Sequence, residues 1–214
     1  MHKIKILVTA GGTSEPIDDV RRITNVSTGA LGSMIADVFA KKYGAEVTFL
    51  HGENSLKPSD KKIKTVEVST AADAAEKLAS LLKTKRFDAI VHAMAVSDYS
   101  PVRQKGKIPS DKKTLVLTLK RTPKIINIIK KIAPDAVLAG FKLLSGSSEK
   151  QLLAACGKLL KTSGCDFVFA NDLSDIKDGK HKGFLIDKKF KILRAGTKKG
   201  AAALIAKNVA GRIL

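Results

Sequence analysis

Short apolar runs alternate with segments of helical periodicity in this chain, and that alternation constrains the fold more than any other feature. The apolar runs of the first half occupy residues 4–9, 46–51, 64–68 and 87–93. Apolar residues recur at helical spacing over residues 30–43, which Gly44 ends, and over residues 70–85. Strands that alternate with helices build βαβ units. The pattern therefore predicts an α/β fold with a Rossmann-like, doubly wound, mostly parallel sheet and helices on both faces.

The second half continues this alternation after a polar stretch. The proline-containing residues 100–110 are predicted to form a loop. Strands are then predicted at 114–119, 136–141 and 167–170, and helices at 123–132, 148–162 and 197–214. Residues 183–186 and 190–193 flank a polar turn and predict a C-terminal β-hairpin. No internal repeat or linker interrupts residues 1–214, so we expect a single domain.

The charge balance raises the question of polyanionic partners. Lys and Arg number 39 against 20 Asp and Glu, which gives a formal net charge of +19. The lysines are dispersed and never form a run of five or six, and aromatic residues that would stack on bases make up only 5% of the chain. We expect a solvated, lysine-rich surface, with a polyanionic small substrate as the second interpretation and nucleic acid as the third.

The rest of the composition is typical of a soluble cytoplasmic protein without a membrane partner. No stretch approaches the roughly 18 consecutive apolar residues of a membrane span. Lys5 interrupts the N-terminal apolar run, and a Gly-Gly turn follows it, which favours a first strand over a signal peptide. Cys156 and Cys165 are too few for a disulfide scaffold or a Cys-rich metal site, and we predict that both are buried free thiols.

Candidate ligand-binding residues lie around the first predicted strand and helix. In open α/β sheets, ligands bind beyond the carboxyl ends of the strands. Two segments there carry glycines and hydroxyl groups, namely Gly11, Gly12 and Thr13, and Ser27, Thr28 and Gly29. Glycines let a ligand approach the backbone closely, and a helix N-terminus favours anions. The two segments predict a phosphate site, with a tight turn and an ordinary helix cap as the alternatives.

Polar residues also follow two later strands. Asp98 comes just after the strand at 87–93, where a carboxylate could bind a hydroxyl group, an amino group or a metal, or could cap a turn. Asn171 and Asp172 follow the strand at 167–170 and are predicted to lie at the same rim. His51 and His92 end apolar strands, but their spacing does not indicate zinc.

Six motifs then make a resemblance specific. GGTSEPIDDVRRITNVSTGALG, AMAVSDYSP, KIPS, KRTPKII, GFKLL and FANDLSDI occur in the order seen in phosphopantothenoylcysteine synthetases. The match runs from Lys3 to about Ile176, and the stand-alone bacterial form, without a fused flavin decarboxylase, resembles this chain most. The chain is identified on these residues as a member of that family.

The resemblance implies a ligase reaction in coenzyme A biosynthesis. The family condenses 4′-phosphopantothenate with L-cysteine and uses a nucleoside triphosphate, CTP in most bacterial members, with Mg²⁺. The substrate carboxylate attacks the α-phosphate to give an acyl-cytidylate and pyrophosphate, and the cysteine amine then displaces CMP. A homodimer is implied as well, and the hairpin at 183–193 is a candidate pairing edge. The resemblance does not indicate which residues hold the metal.

The resemblance also implies roles for individual residues. Asn25 matches the asparagine that holds the acyl-nucleotide, and Lys107 matches the flap lysine of the first half-reaction. The residues that match the nucleotide-recognition segment are Ala93, Met94, Ala95 and Asp98. Those that match the contacts on the cytosine side are Pro123, Lys124, Ile125, Ile126 and Phe141. Lys158 and Lys161 match a pair of phosphate-binding lysines, although Lys161 lies one residue early, and the connection that carries the flap is short.

Three other classes of protein were weighed against this one. An NAD(P)-dependent oxidoreductase shares the predicted architecture, but the GxGxxG turn that such enzymes use to bind the pyrophosphate is absent. A flavin-binding decarboxylase of the same pathway would carry a bound, yellow flavin. A basic nucleic-acid-binding module would show salt-dependent retention on DNA.

Overall fold

The structure is a computed structural model that describes residues 3–176 and 180–214. The predicted domain 1–214 includes residues 1, 2 and 177–179, which lie outside this description. The strands are β1 (Lys5–Ala10), β2 (Ser14–Pro16), β3 (Arg22–Thr24), β4 (Glu46–Gly52), β5 (Lys64–Val68), β6 (Ala89–His92), β7 (Tyr99–Pro101), β8 (Leu119–Arg121), β9 (Val137–Leu144), β10 (Phe167–Asp172), β11 (Gly183–Asp187) and β12 (Ile192–Ala195). The helices are α1 (Ala30–Tyr43), α2 (Ala71–Thr84), α3 (Ile126–Ile132), α4 (Glu149–Ser163) and α5 (Lys198–Ile213), with a 3₁₀ turn at Leu173–Asp175.

An eight-stranded sheet forms the centre of the molecule, in the order β12-β11-β10-β9-β6-β1-β4-β5. The strands from β10 to β5 in that order pair in parallel, whereas β11 and β12 pair antiparallel to their neighbours. The predicted mostly parallel sheet and the predicted C-terminal hairpin are therefore both confirmed.

Apolar side chains on the two faces of this sheet form two separate cores. Ile6 and Val8 of β1 pack on the face that α1 and α5 cover, and Leu7 packs on the opposite face with α2, α3 and α4. This alternation follows from the twofold side-chain period of a strand. Helices lie on both faces, as the sequence predicts.

The topology creates a crevice at the carboxyl ends of β1 and β6. From β1 the chain passes through α1 to β4 on one side, and from β5 it returns through α2 to β6 on the other side of β1. The strand order thus reverses between β1 and β6, which is where open α/β sheets bind ligands. In the described part of the chain, no helix is long and apolar enough to cross a membrane.

The segment at 114–119 does not form the predicted strand. Only Leu119–Arg121 pairs, with β7, in a two-stranded ribbon outside the main sheet. The alternating pattern failed as a predictor because Leu115 and Val116 are 48% and 82% exposed, so the segment has no core to pack against. Part of the predicted loop at 100–110 belongs to this ribbon, since β7 extends to Pro101.

Two further differences affect the site. The β2–β3 hairpin was not predicted, because its strands are three residues long and largely polar. The helix predicted at 123–132 begins only at Ile126, so Pro123 precedes it.

Candidate functional site

The turn after β1, residues 11–13, is hydrogen-bonded to Ala95, which follows β6, and we call this joined stretch of backbone the ledge. The Ala95 N–H donates to the Gly11 carbonyl at 2.7 Å, and the Thr13 N–H donates to the Ala95 carbonyl at 3.2 Å. Gly11 has a φ of +79°, and a Cβ there would lie 1.6 Å from the Ser55 hydroxyl oxygen. Glycine is therefore required at this position on both backbone and steric grounds.

The Thr13 side chain connects this ledge to Ser97. It is fully buried, and its hydroxyl donates to Ser97 Oγ at 3.0 Å while it accepts from the Ser97 N–H at 2.9 Å. Thr13 was predicted as a phosphate contact, but the structure gives its side chain a positioning role between the two strand ends.

The N-terminus of α1 faces the ledge without a side-chain cap. Gly29 occupies the cap position in the left-handed region, with φ +69°, and the Thr28 hydroxyl lies 3.4 Å from the Ala30 N–H. Of the predicted cap residues Ser27, Thr28 and Gly29, Gly29 therefore takes the cap position, and the Thr28 hydroxyl accepts from the Ala30 N–H one residue before it. A Cβ on Gly29 would approach the Gly11 nitrogen to 3.1 Å, so two glycines permit this close packing. Because the first turn of α1 also lacks acidic residues, it favours an anion.

Asn25 lies in a cavity of about 270 Å³ beside the ledge, which we call the Asn25 cavity. Its lining residues are Gly12, Ser14, Thr24, Asn25, Val26, Ser27, Thr28, Glu53, Asn54 and Ser55. The predicted Asn25, Ser27 and Thr28 thus come together. Ser55, in the loop after β4, was missed. Among the residues that the structure describes, its buried hydroxyl oxygen has no hydrogen-bond partner.

A second cavity of about 290 Å³ lies between α3 and α4 and is called the α3–α4 cavity here. Its lining residues are His92, Met94, Ala95, Val96, Asp98, Pro123, Lys124, Ile125, Ile126, Asn127, Phe141, Lys142, Leu159 and Thr162. The residues predicted for nucleotide recognition and for the cytosine side therefore share one cavity, except for Ala93. Asp98 is exposed and forms an ion pair with Lys124.

Sequence reasoning missed four polar residues of this cavity, namely His92, Asn127, Lys142 and Thr162. Lys142 follows the predicted Phe141 on β9 and is half-buried, and His92 ends β6. The only sequence feature that indicates Lys142 is its position in the GFKLL motif. For His92, it is the position at the end of an apolar strand.

Lys107 lies in neither cavity. Its side chain is exposed, and the backbone on either side is held by the β2–β3 turn. The Gly106 N–H donates to Asp19 and the Ile108 N–H donates to Asp18, each at 3.1 Å. Burial raises the pKa of Asp18, but N–H donors from Ile108, Val20 and Arg21 outweigh it and hold that pKa below its usual value. The structure thus shows the predicted flap docked on the hairpin.

The remaining predicted residues lie away from both cavities. Lys158 and Lys161 line a groove on the outer face of α4 with Gly157 and Phe190, whereas Leu159 and Thr162 face the α3–α4 cavity. The expectation that both lysines join the phosphate site is therefore not supported by their placement, because helical spacing turns them to another face.

Asn171 and Asp172 line a third cavity, beside the N-terminus of α4. The Asp172 carboxylate accepts from the Ser147 N–H at 2.8 Å, from the N–H and hydroxyl of Ser174, and from the Gly146 N–H. These donors lower its pKa to about 2. Asp172 therefore holds the loop before α4, rather than presenting a free carboxylate at the rim.

The described residues offer neither a thiol nucleophile nor a ready metal cage. Cys156 and Cys165 are buried free thiols, as predicted, and burial raises the pKa of Cys156 to about 11. Over residues 3–176 and 180–214, no three His, Cys, Asp or Glu side chains cluster as metal ligands would.

Comparison with known proteins gives a consistent picture. A family model described as the DNA/pantothenate metabolism flavoprotein C-terminal domain matches residues 1–213. The Coenzyme A biosynthesis bifunctional protein CoaBC of Thermococcus kodakarensis is 40% identical over 188 residues, which cover 87% of this chain and 45% of that protein. The CoaBC protein of Methanocaldococcus jannaschii is 36% identical over 171 residues, covering 79% and 41%. This chain thus spans somewhat less than half the length of these relatives.

Solved structures also match this chain almost end to end. The crystal structure of the DNA/pantothenate metabolism flavoprotein from Streptococcus pneumoniae has a TM-score of 0.90 at 33% identity, and the match covers 98% of this chain and 99% of that one.

Proposed function

This chain belongs to the family of DNA/pantothenate metabolism flavoprotein C-terminal domains, and on that premise we propose that it is a phosphopantothenate–cysteine ligase of coenzyme A biosynthesis. The observation that carries this proposal is the pair of adjacent cavities at the switch in strand order. Gly12 lines one and Ala95 lines the other, and these two residues form a parallel bridge. A ligase that joins a carboxylate to a nucleotide needs two sites that meet at the reacting atoms.

The α3–α4 cavity is the nucleotide site in this proposal. Pro123, Ile126 and Phe141 supply apolar walls for a flat base, and Lys142 supplies a cation for the polyphosphate. The pantothenate carboxylate then approaches from the Asn25 cavity, across the ledge that carries Gly12 and Ala95.

In the first half-reaction, the carboxylate oxygen attacks the α-phosphorus of CTP, and pyrophosphate leaves with the electrons of the broken P–O bond. Both reactants are anions, so the site must lower their repulsion. The N-terminus of α1, where the cap residue Gly29 has no side chain, and Lys142 contribute positive potential from fixed positions. Lys107 adds a mobile charge by leaving its place beside the β2–β3 turn when CTP binds.

In the second half-reaction, the cysteine amine attacks the acyl carbon of the acyl-cytidylate. The C–O bond breaks, CMP leaves, and the nitrogen loses a proton to give the amide. Asn25 holds the intermediate through its neutral amide, which adds no charge beside the phosphate. The attacking cysteine is the free amino acid, because a cysteine within the chain has no free α-amino group.

Mg²⁺ fits this site as an ion that arrives with the triphosphate. Mg²⁺ usually keeps several waters and binds one or two carboxylates together with substrate phosphates. Asp98 is the carboxylate among the residues lining the α3–α4 cavity, and it would hold the ion there. Bound in this way, the ion neutralises part of the polyphosphate charge.

A homodimer in the cytoplasm completes the proposal. The hairpin at 183–193 offers β12 as a free sheet edge. The β7–β8 ribbon offers a second surface with exposed apolar side chains, since Tyr99 is 54% exposed and Leu119 is 45% exposed. Light scattering at micromolar concentration should give twice the 22.9 kDa chain mass, and a monomer would contradict the proposal. Leu119→Lys and Ile192→Lys would show which surface pairs.

Pyrophosphate release is the decisive assay for the reaction. We expect release from CTP to require phosphopantothenate but not cysteine in a single turnover, and sustained turnover to require cysteine as well. ATP, UTP and GTP serve as competing nucleotides. Pyrophosphate release that ignores phosphopantothenate under every nucleotide would show that the assignment is wrong.

A further inference from the structure

His92 lies in the floor of the α3–α4 cavity and has no role in the reaction derived above. It ends β6, is only 7% exposed, and lines the cavity together with Phe141 and Ile126. Its neighbour across the sheet in β9 is Gly140, where a Cβ would lie 2.9 Å from Ile126 Cδ1 and from Cys165 Sγ, so apolar side chains pack closely over the strand beside the ring. A polar ring is thus placed under a mainly apolar part of the cavity.

The hydrogen bonds of Thr9 determine which ring nitrogen of His92 carries the proton. Thr9 Oγ1 lies 2.8 Å from His92 Nδ1 and accepts a hydrogen bond from the Met94 N–H at 3.4 Å. Thr9 is fully buried, so its hydroxyl proton needs an acceptor. Within the described residues, Nδ1 of His92 is that acceptor. This contact favours the neutral tautomer in which Nδ1 accepts and Nε2 carries the proton.

The ring is neutral at physiological pH. Burial lowers the pKa of His92 to about 4, because the charged form would lose its hydration. Nε2–H is thus a fixed, uncharged donor. Within the described residues Nε2 has no hydrogen-bond partner, and it is not one of the fully buried unpaired side-chain atoms, so it reaches the accessible surface of the cavity.

We propose that the Nε2–H group of His92 donates a hydrogen bond to an acceptor on the base of the bound nucleotide. This inference rests on the proposed function, which places the nucleotide in this cavity. The base, rather than the polyphosphate, is the partner because the ring is neutral and Phe141 and Ile126 beside it are apolar. Cytosine presents two neighbouring acceptors, O2 and N3, on one edge. Thr9 acts as a positioning residue, since it fixes the tautomer that makes Nε2 a donor.

Binding of CTP in the absence of phosphopantothenate tests this directly. Isothermal titration of CTP into wild type and His92→Leu should show affinity reduced about threefold to tenfold in the variant, as expected for one neutral hydrogen bond. Titration of phosphopantothenate should be unchanged. Thr9→Val leaves the imidazole in place and should weaken CTP binding to a smaller extent, which keeps the test valid if His92→Leu folds poorly.

Nitrogen-15 NMR of the histidine rings gives a second readout that does not depend on activity. The free protein should show His92 protonated on Nε2, and that nitrogen should shift when CTP is added but not when phosphopantothenate is added. His51 is the matched control, because it is also a buried histidine at the end of a strand, with Nδ1 at 2.9 Å from the Gly52 carbonyl oxygen, and it does not line this cavity.

The outcomes distinguish the proposed ligase function from the role of His92 in binding the base. Wild type that does not bind CTP would overturn the proposed function and this inference with it. Wild type that binds CTP, with His92→Leu binding equally well, would overturn only the role of His92. A free protein protonated on Nδ1 would also overturn it, because Nε2 would then be an acceptor.

Discussion

The side-chain amide of Asn25 donates a hydrogen bond to the Ala95 carbonyl at 3.2 Å. Asn25 lines one cavity and Ala95 lines the other, so this hydrogen bond joins the two cavities at the point where the proposed substrates would meet. Thr24 secures the approach to Asn25, because its hydroxyl donates to the Thr13 carbonyl at 2.9 Å. The Asn25 side-chain amide is thereby held beside the ledge by neutral groups, the Ala95 carbonyl and the Thr24 backbone before it.

Replacing Asn25 should separate the two half-reactions. In Asn25→Asp, a carboxylate lies beside the phosphate, so the acyl-cytidylate should still form but be held poorly and converted slowly. A loss of about 10²–10³ in amide formation is expected for one lost contact to the reacting group. Quench-flow with labelled CTP would measure both steps. Asn208→Asp, the same change in α5 away from both cavities, is the control and should retain turnover within a few-fold.

The cation that acts on the polyphosphate should be Lys142 and not Lys158. Lys142→Ala should weaken CTP binding about tenfold, since charge-assisted contacts are the stronger class. Lys158→Ala removes the same charge from the outer face of α4 and should leave the dissociation constant within twofold. Titration calorimetry compares the two, and equal losses would mean that overall charge, rather than placement, attracts the nucleotide.

Gly52→Ala should destabilise the ledge, because Gly52 at the end of β4 packs directly against it. A Cβ at Gly52 would lie 2.1 Å from the Gly12 carbonyl oxygen, a backbone atom that moves only if the ledge moves. We expect a loss of about 2–3 kcal/mol in the free energy of unfolding, together with weaker ligand binding. Gly211→Ala is the control, because nothing lies within 4 Å of its Cβ position in α5. That change should be neutral or stabilise by up to about 1 kcal/mol.

The fold could be predicted because its signals are local and repeated. The bounds of α1 match the sequence expectation, since apolar spacing and Gly44 mark both its length and its end. The prediction of a strand at 114–119 was wrong for the opposite reason. Alternation is a local strand signal, but a strand also needs a surface to pack against, and Leu115 and Val116 are exposed. The family resemblance read from the six motifs is confirmed by the match over residues 1–213.

The site was predictable only where residues are close in sequence to a motif. Asn25, Asp98 and Phe141 were found because they lie inside motifs, and the structure places them around the two cavities. Ser55 and His92 were missed because only the packing of β4, β1 and β6 brings them to the crevice. Roles assigned by resemblance to Lys107 and Asn25 stay predictions.

The buried His92 should make stability depend on pH. Its folded pKa of about 4 lies below the ordinary 6.5, so the unfolded chain takes up the proton first as the pH falls. Stability should therefore decrease as pH drops from about 6.5 towards 4. Denaturant unfolding at pH 7 and pH 5 should show that decrease to be about 2 kcal/mol smaller in His92→Gln than in wild type. An identical decrease in both would mean that His92 is not buried and neutral.

Lys107 should act in the first half-reaction alone. Gly106 and Ile108 hold the loop to Asp19 and Asp18, and these contacts must break for the lysine to reach the α-phosphate. Lys107→Gln should therefore reduce pyrophosphate release itself by about 10²–10³, with CTP still bound. Lys105→Gln, two residues away in the same loop, should stay within a few-fold. Single-turnover assays with labelled CTP and no cysteine measure this step, and normal acyl-cytidylate formation by Lys107→Gln would remove the role assigned to the flap, whatever the overall activity.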